Sequence, residues 1–119
     1  MTDLEHATAP VVVRLPDEID MANAERVGEQ LRSAFTCGSA VVIADLTPTV
    51  FCDSAGARQF VLAHNYADAR DAQMRFVITG RNVLSVLTLT GLDQLLSIYP
   101  SLDAAVSAGP ALAGDAAPG

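Results

Sequence analysis

The chain has no lysine and no tryptophan, and its seven basic residues, all arginine, face fourteen acidic ones for a formal net charge of −7 and a pI near 4.4. A protein that grips a phosphate backbone needs a basic stripe, so direct nucleic-acid binding is not expected. Without lysine there is no P-loop and no Schiff-base chemistry. Six aromatic residues among 119 leave no stacking platform for bases or sugars. The two cysteines, Cys37 and Cys52, lie too far apart for a metal knuckle or a CxxC redox pair, and each reads as a small buried hydrophobe. No apolar run approaches the ~18 residues of a membrane-spanning helix, and residues 1–10 are acidic with no basic start and apolar core behind it. The expectation is a soluble, cytoplasmic protein with no membrane insertion.

What remains is an ordinary globular composition, 50% hydrophobic and 18% charged, with room for one domain that buries roughly two-thirds of its unfolded surface. Its acidity suits a protein partner with a basic face. Along the chain, a β-branched run at 11–15 stopped by Pro16 predicts a first strand near a sheet edge. Glu18-Ile19-Asp20 follows in extended form, and Asp20 or Asn23 caps a helix striped by Ala24, Val27, Leu31 and Phe35 and ended by Gly38. The continuous apolar run at 41–44 predicts a strand covered on both faces, which makes Asp45 a satisfied buried carboxylate.

A second helix runs from Ser54 to near Asp71, with Ala57, Phe60, Val61, His64 and Ala67 on its apolar face. A strand at 74–79, a short helix ended by Gly91, a strand at 95–99 and a helix capped by Ser101 complete the pattern. Strand and helix alternate as in a mostly parallel sheet with crossover helices. The expected organisation is a flexible segment at 1–10, a domain at 11–108 and a disordered Ala/Gly/Pro tail at 109–119.

The midpoint holds the stretch Val50-Phe51-Cys52-Asp53-Ser54-Ala55-Gly56-Ala57-Arg58, between a strand and a helix. Ser54 reads as the N-cap of that helix, where its hydroxyl meets unpaired amides and the positive end of the macrodipole. A phosphate esterified to Ser54 would be received by those same donors at little cost to the fold. Gly56 leaves the backbone open to close approach. Asp53 reads either as a turn residue that stabilises the helix start by charge or as part of a surface shown to a partner, and Asp20 follows a strand that could end at the same edge. A Ser-His-Asp hydrolase does not fit. His64 lies ten residues along the same helix as Ser54, ~15 Å away by rise alone, and no G-x-S-x-G elbow is present. The chain is not expected to be an enzyme.

The segment from Phe51 to Gly56, with Asp45-Leu46-Thr47 ahead of it, resembles the central motif of STAS domains of the anti-sigma factor antagonist family. Three more segments agree in order and spacing: Glu18-Ile19-Asp20 with Asn23-Ala24-Glu25, Leu89-Thr90-Gly91-Leu92, and the stretch from Ile98 to Leu102. The resemblance implies a small α/β domain, a mixed but mostly parallel sheet of four to five strands with about four helices packed mainly on one face. Three positions depart from the family pattern: Asp17 stands where a glycine is frequent, Ala57 where a larger aliphatic residue is usual, and Cys52 where a branched apolar one is.

The resemblance also implies a function. Ser54 is the expected site of regulatory phosphorylation, and Asp20, Asp53, Ser54, Ala55, Gly56 and Ala57 form the expected partner-binding set. With Ser54 unmodified, such a domain binds an anti-sigma factor that is itself a serine kinase and so frees the sigma factor. The kinase phosphorylates Ser54 with its own Mg-ATP, so this chain needs no cofactor or metal, and a serine phosphatase resets the switch. The alternative within the same fold is a docking subunit of a membrane permease or transport ATPase. A nucleotide sensor would lack a recognisable phosphate loop.

Overall fold

The computed structural model describes residues 10–36 and 38–109. The expectations for the two termini, for His6 and for Cys37 fall outside these residues, apart from Pro10 and Gly109. Four strands, β1 (Val11–Arg14), β3 (Val41–Asp45), β5 (Gln73–Val77) and β6 (Ser97–Tyr99), form one sheet in the order β1-β3-β5-β6. All its pairings are parallel, with Val42 opposite Val11 on one side and Met74 on the other. Parallel neighbours need long crossovers. Here these carry helices α1 (Ala24–Phe35), α2 (Ser54–Ala69) and α3 (Arg81–Thr90), while α4 (Leu102–Ser107) follows the last strand. A separate two-stranded parallel ribbon joins β2 (Glu18–Ile19) to β4 (Phe51–Cys52).

β3 is buried at every residue, as its continuous apolar run predicts, because each face meets a different layer. Val42 and Ala44 point into the main core with Leu31 of α1, Phe60 and Ala63 of α2, and Leu87 of α3. Val41 and Ile43 point the other way, to a smaller cluster with Val77, Ala105 and Leu102 that α4 closes. The helices thus gather mainly on one face. Phe60 and Phe76, fully buried, meet at a centroid distance of 5.2 Å and 55°, a tilted contact that adds about 1 kcal/mol to their burial. β1 lies at the sheet edge, as expected from Pro16 behind it.

Sequence and structure agree closely on α1, whose last residue is Phe35, three before Gly38. The strand expected at 95–99 shortens to Ser97–Tyr99, because a 3₁₀ turn at Leu92–Gln94 follows the left-handed Gly91 (φ 79°). Ser101 caps α4, its Oγ accepting from the Ala104 amide at 3.1 Å. Asp45, only 7% exposed, accepts from the Thr47 amide at 3.0 Å and is the satisfied carboxylate expected.

One buried group was not foreseen. Arg75 is 2% exposed, and all five of its guanidinium hydrogens have neutral acceptors. Nε and Nη2 donate to Gln73 Oε1 at 3.0 and 2.7 Å, Nη1 donates to the Ala105 and Ala108 carbonyls at 2.7 and 3.3 Å, and Nη2 also donates to the Gly109 carbonyl. A cation thus caps the C-terminal end of α4, where the macrodipole is negative, and ties that short helix to the sheet.

Two outcomes follow from these contacts. Replacing Arg75→Leu strips three carbonyls of their donor and should cost about 2–4 kcal/mol in urea unfolding. Asp71 is the sole non-glycine residue with positive φ (57°) among the described residues, and it places an anion at the end of α2. Asp71→Gly should therefore raise stability by about 0.5–1 kcal/mol in the same measurement.

Candidate functional site

The ribbon of β2 and β4 brings together two segments more than thirty residues apart. Its register sets Glu18 beside Phe51 and Ile19 beside Cys52. The Asp17 carbonyl accepts from the Val50 and Phe51 amides at 2.8 and 3.3 Å, and the Ile19 carbonyl accepts from the Asp53 amide at 3.1 Å. Asp20 and Asp53 each directly follow a strand of this parallel ribbon, so both come at the same end of it. Asp17 does this work with an ordinary backbone; a positive φ is not used there.

Asp53, not Ser54, caps α2. Its backbone is extended (φ −95°, ψ −171°), and its Oδ1 accepts from the Ala55 amide at 2.9 Å and the Gly56 amide at 3.2 Å. Ser54 is the first helical residue, with its side chain exposed. Both residue types make good caps. Tertiary pairing decides between them, because the hydrogen bond to Ile19 holds Asp53 in the extended conformation that a cap requires. This corrects the expectation for a phosphate on Ser54: the amides that would receive it are already bonded to Asp53.

Asp20 and Asn23 share the work at the start of α1. Asn23 occupies the cap position, yet its side chain turns back, accepting from the Asp20 amide at 2.9 Å and donating to the Glu18 carbonyl at 2.8 Å. Asp20 Oδ1 accepts from the Ala22 amide at 2.9 Å. The loop that carries Asp20 is thereby closed by its own side chains.

Of the six residues expected to meet a partner, Ser54 is exposed and Asp20, Asp53 and Ala55 are half-buried. Gly56 and Ala57 are buried and offer no side-chain surface. A Cβ on Gly56 would lie 2.6 Å from Cys52 Sγ and 2.7 Å from Ile19 Cγ2, so the glycine lets α2 press against the ribbon. Ala57, at 3% exposure, packs into the core rather than opening a pocket at the surface. Next to these residues in the chain are three exposed apolar side chains, Met21 at 82%, Val50 at 58% and Phe51 at 46%. For Phe51 the sequence carried a signal: strand alternation puts it on the face opposite the buried Cys52.

Cys52 is buried as expected, and its Sγ donates to the Asp53 carbonyl at 3.4 Å. Burial, with the Asp53 carboxylate adding to it, pushes the thiol from its ordinary 9.0 up to about 12. His64 lies half-buried along α2, away from Ser54. Among the described residues no three His, Cys, Asp or Glu side chains are placed to hold a metal, and no helix is long and apolar enough to cross a membrane.

The thiol has a measurable consequence. Its pKa is raised on folding, so between 9 and about 12 the unfolded chain loses this proton while the folded one keeps it. Stability should fall as pH rises through that window, and more steeply for the native chain than for Cys52→Ala. At pH 8 the peptide bearing Cys52 should resist alkylation until the protein unfolds.

A family model described as the STAS domain matches residues 1–105. Among solved structures, an anti-sigma factor antagonist from Mycobacterium paratuberculosis is 25% identical, with 84% of this chain and 85% of that one covered and a TM-score of 0.77. The anti-sigma factor antagonist SpoIIAA in its unphosphorylated form is 20% identical over 80% of this chain and 84% of that one, with a TM-score of 0.66. The Bacillus cell fate determinant SpoIIAA in its phosphorylated form is 20% identical over 81% and 87%, with a TM-score of 0.60. At that identity the two SpoIIAA likenesses speak for the fold. A search of curated proteins finds no match.

Proposed function

The chain belongs to the STAS domain family, and from that membership we propose that it is an anti-sigma factor antagonist switched by phosphorylation of Ser54. The observation that carries the reading is the position of Ser54: an exposed hydroxyl at the head of α2, with Asp53 next to it and Asp20 at the same end of the β2–β4 ribbon. The Mycobacterium paratuberculosis neighbour is an anti-sigma factor antagonist by description, and SpoIIAA has been seen in unphosphorylated and phosphorylated forms.

In this reading the chain performs no chemistry of its own. Unmodified, it docks on an anti-sigma factor that is also a serine kinase, and the sigma factor held there is released. Met21, Val50 and Phe51 supply apolar contact around a centre that carries Glu18, Asp20 and Asp53, so the fitting partner surface is apolar with a cationic rim. The kinase supplies Mg-ATP. The Ser54 Oγ takes the γ-phosphoryl group, ADP leaves and the hydroxyl proton is lost. The new dianion breaks complementarity, and a serine phosphatase later removes it. The domain acts in the cytoplasm, where sigma factors and their regulators meet. A Ser-His pair on one helix offers no general-base contact, which agrees with a substrate role for Ser54.

Tagged protein recovered from its own host, with phosphopeptide mapping of bound and free pools, tests this. A kinase-like anti-sigma factor should accompany only unmodified Ser54, with phosphate confined to the free pool. Ser54→Ala should stay bound in the presence of ATP, and Ser54→Glu should bind at least about tenfold more weakly, the equivalent of ~1.4 kcal/mol. Recovery of a permease or transport ATPase, with Ser54 unmodified throughout, would overturn the reading.

A further inference from the structure

We infer that Asp53 opposes the phosphorylated state of Ser54 by holding the helix-start donors a phosphate would need, a feature that rests on the reading of Ser54 as the modified residue. The first turn of α2 has few amides to give. Ala55 and Gly56 donate to Asp53 Oδ1, and Ala57 donates to the Asp53 carbonyl at 3.0 Å. One aspartate thus occupies three consecutive donors. A phosphate on the neighbouring Oγ gains the Ala55 and Gly56 amides only by evicting that carboxylate; otherwise it is left with the Ser54 amide and solvent, beside a like charge.

The helix start is not free to shift and present other donors. The Asp53 amide is tied to the Ile19 carbonyl at 3.1 Å, and Gly56 is pressed against Cys52 and Ile19 with no room for even a methyl group. Asp20, which directly follows β2, adds a second anion at the same end of the ribbon. A group of about −1.5 to −2 charges is therefore installed next to one carboxylate and near another. The macrodipole that ordinarily rewards such a group is already answered by Asp53.

The unmodified form is then the one that the local fold favours. Phosphorylation disturbs the first turn of α2 as well as adding charge to a contact surface, so partner release draws on both effects. Asp53 acts here as a positioning residue, through the cap and in addition to the charge it shows a partner.

A double-substitution cycle read by thermal melting of the isolated protein tests this without any partner, so it can fail while the partner switch stands. Ser54→Glu supplies the negative charge, and Asp53→Asn removes the competing one while keeping a capping oxygen. With Asp53 present, Ser54→Glu should lower the melting midpoint; alongside Asp53→Asn, the same substitution should raise it, a gap of about 3 °C between backgrounds. Should Asp53→Asn fail to fold, salt provides the second reading. Raising NaCl from about 50 to 500 mM should narrow the deficit of Ser54→Glu against wild type, because screening weakens the repulsion. Equal shifts in both backgrounds, or a deficit indifferent to salt, would overturn the inference.

Discussion

The hydrogen bond from the Asp53 amide to the Ile19 carbonyl is the constraint on which the rest of the site depends. It is the last rung of a ribbon only two residues long on each side, outside the main sheet. By holding Asp53 extended it selects the cap of α2, and with the cap it fixes which residue is the first exposed one of the helix. Because the ribbon is parallel, Asp20 comes at the same end of it. Net charge, strand pairing and helix start thus meet at one hydroxyl.

The sheet makes this small ribbon dependable. β3, buried on both faces, runs directly into the segment that becomes β4, and α2 leaves β4 to pack Phe60 and Ala63 against the same sheet. The end of β4 is therefore clamped between two well-buried elements. On the far side of the sheet a different device operates: Arg75, a charge among neutral acceptors, holds the short α4 by its last carbonyls. The site and this latch lie on opposite faces, so the surface around Ser54 owes nothing directly to the cation.

Most of the element pattern was legible, and for identifiable reasons. α1 carried a clean stripe ended near a glycine, β3 an uninterrupted apolar run, and α4 a serine cap, each a local signal that tertiary packing then reinforced. The strand–turn–helix around Asp53 and Ser54 was legible too. What misled was the choice between two adjacent capping residues, since Asp and Ser are near-equal by propensity. Gly56 and Ala57 were expected among the partner-binding residues, Ala57 being also on the apolar face of the helix, and the close seat of α2 on the ribbon buries both.

By itself the sequence determined the alternation of strands and helices, the acidic character of the chain and the absence of lysine chemistry, because each is carried by composition or short-range periodicity; Ser54 stood out through the resemblance of its motif to a known family. Only the tertiary structure decided that Asp53 rather than Ser54 caps α2, that Asp20 comes at the same end of the ribbon, and that Met21, Val50 and Phe51 are exposed. It also decided that Arg75 lies buried without a carboxylate among its partners. Those outcomes rest on pairings between segments about thirty residues apart, and a register between distant strands is set by how their faces pack, which no local pattern encodes.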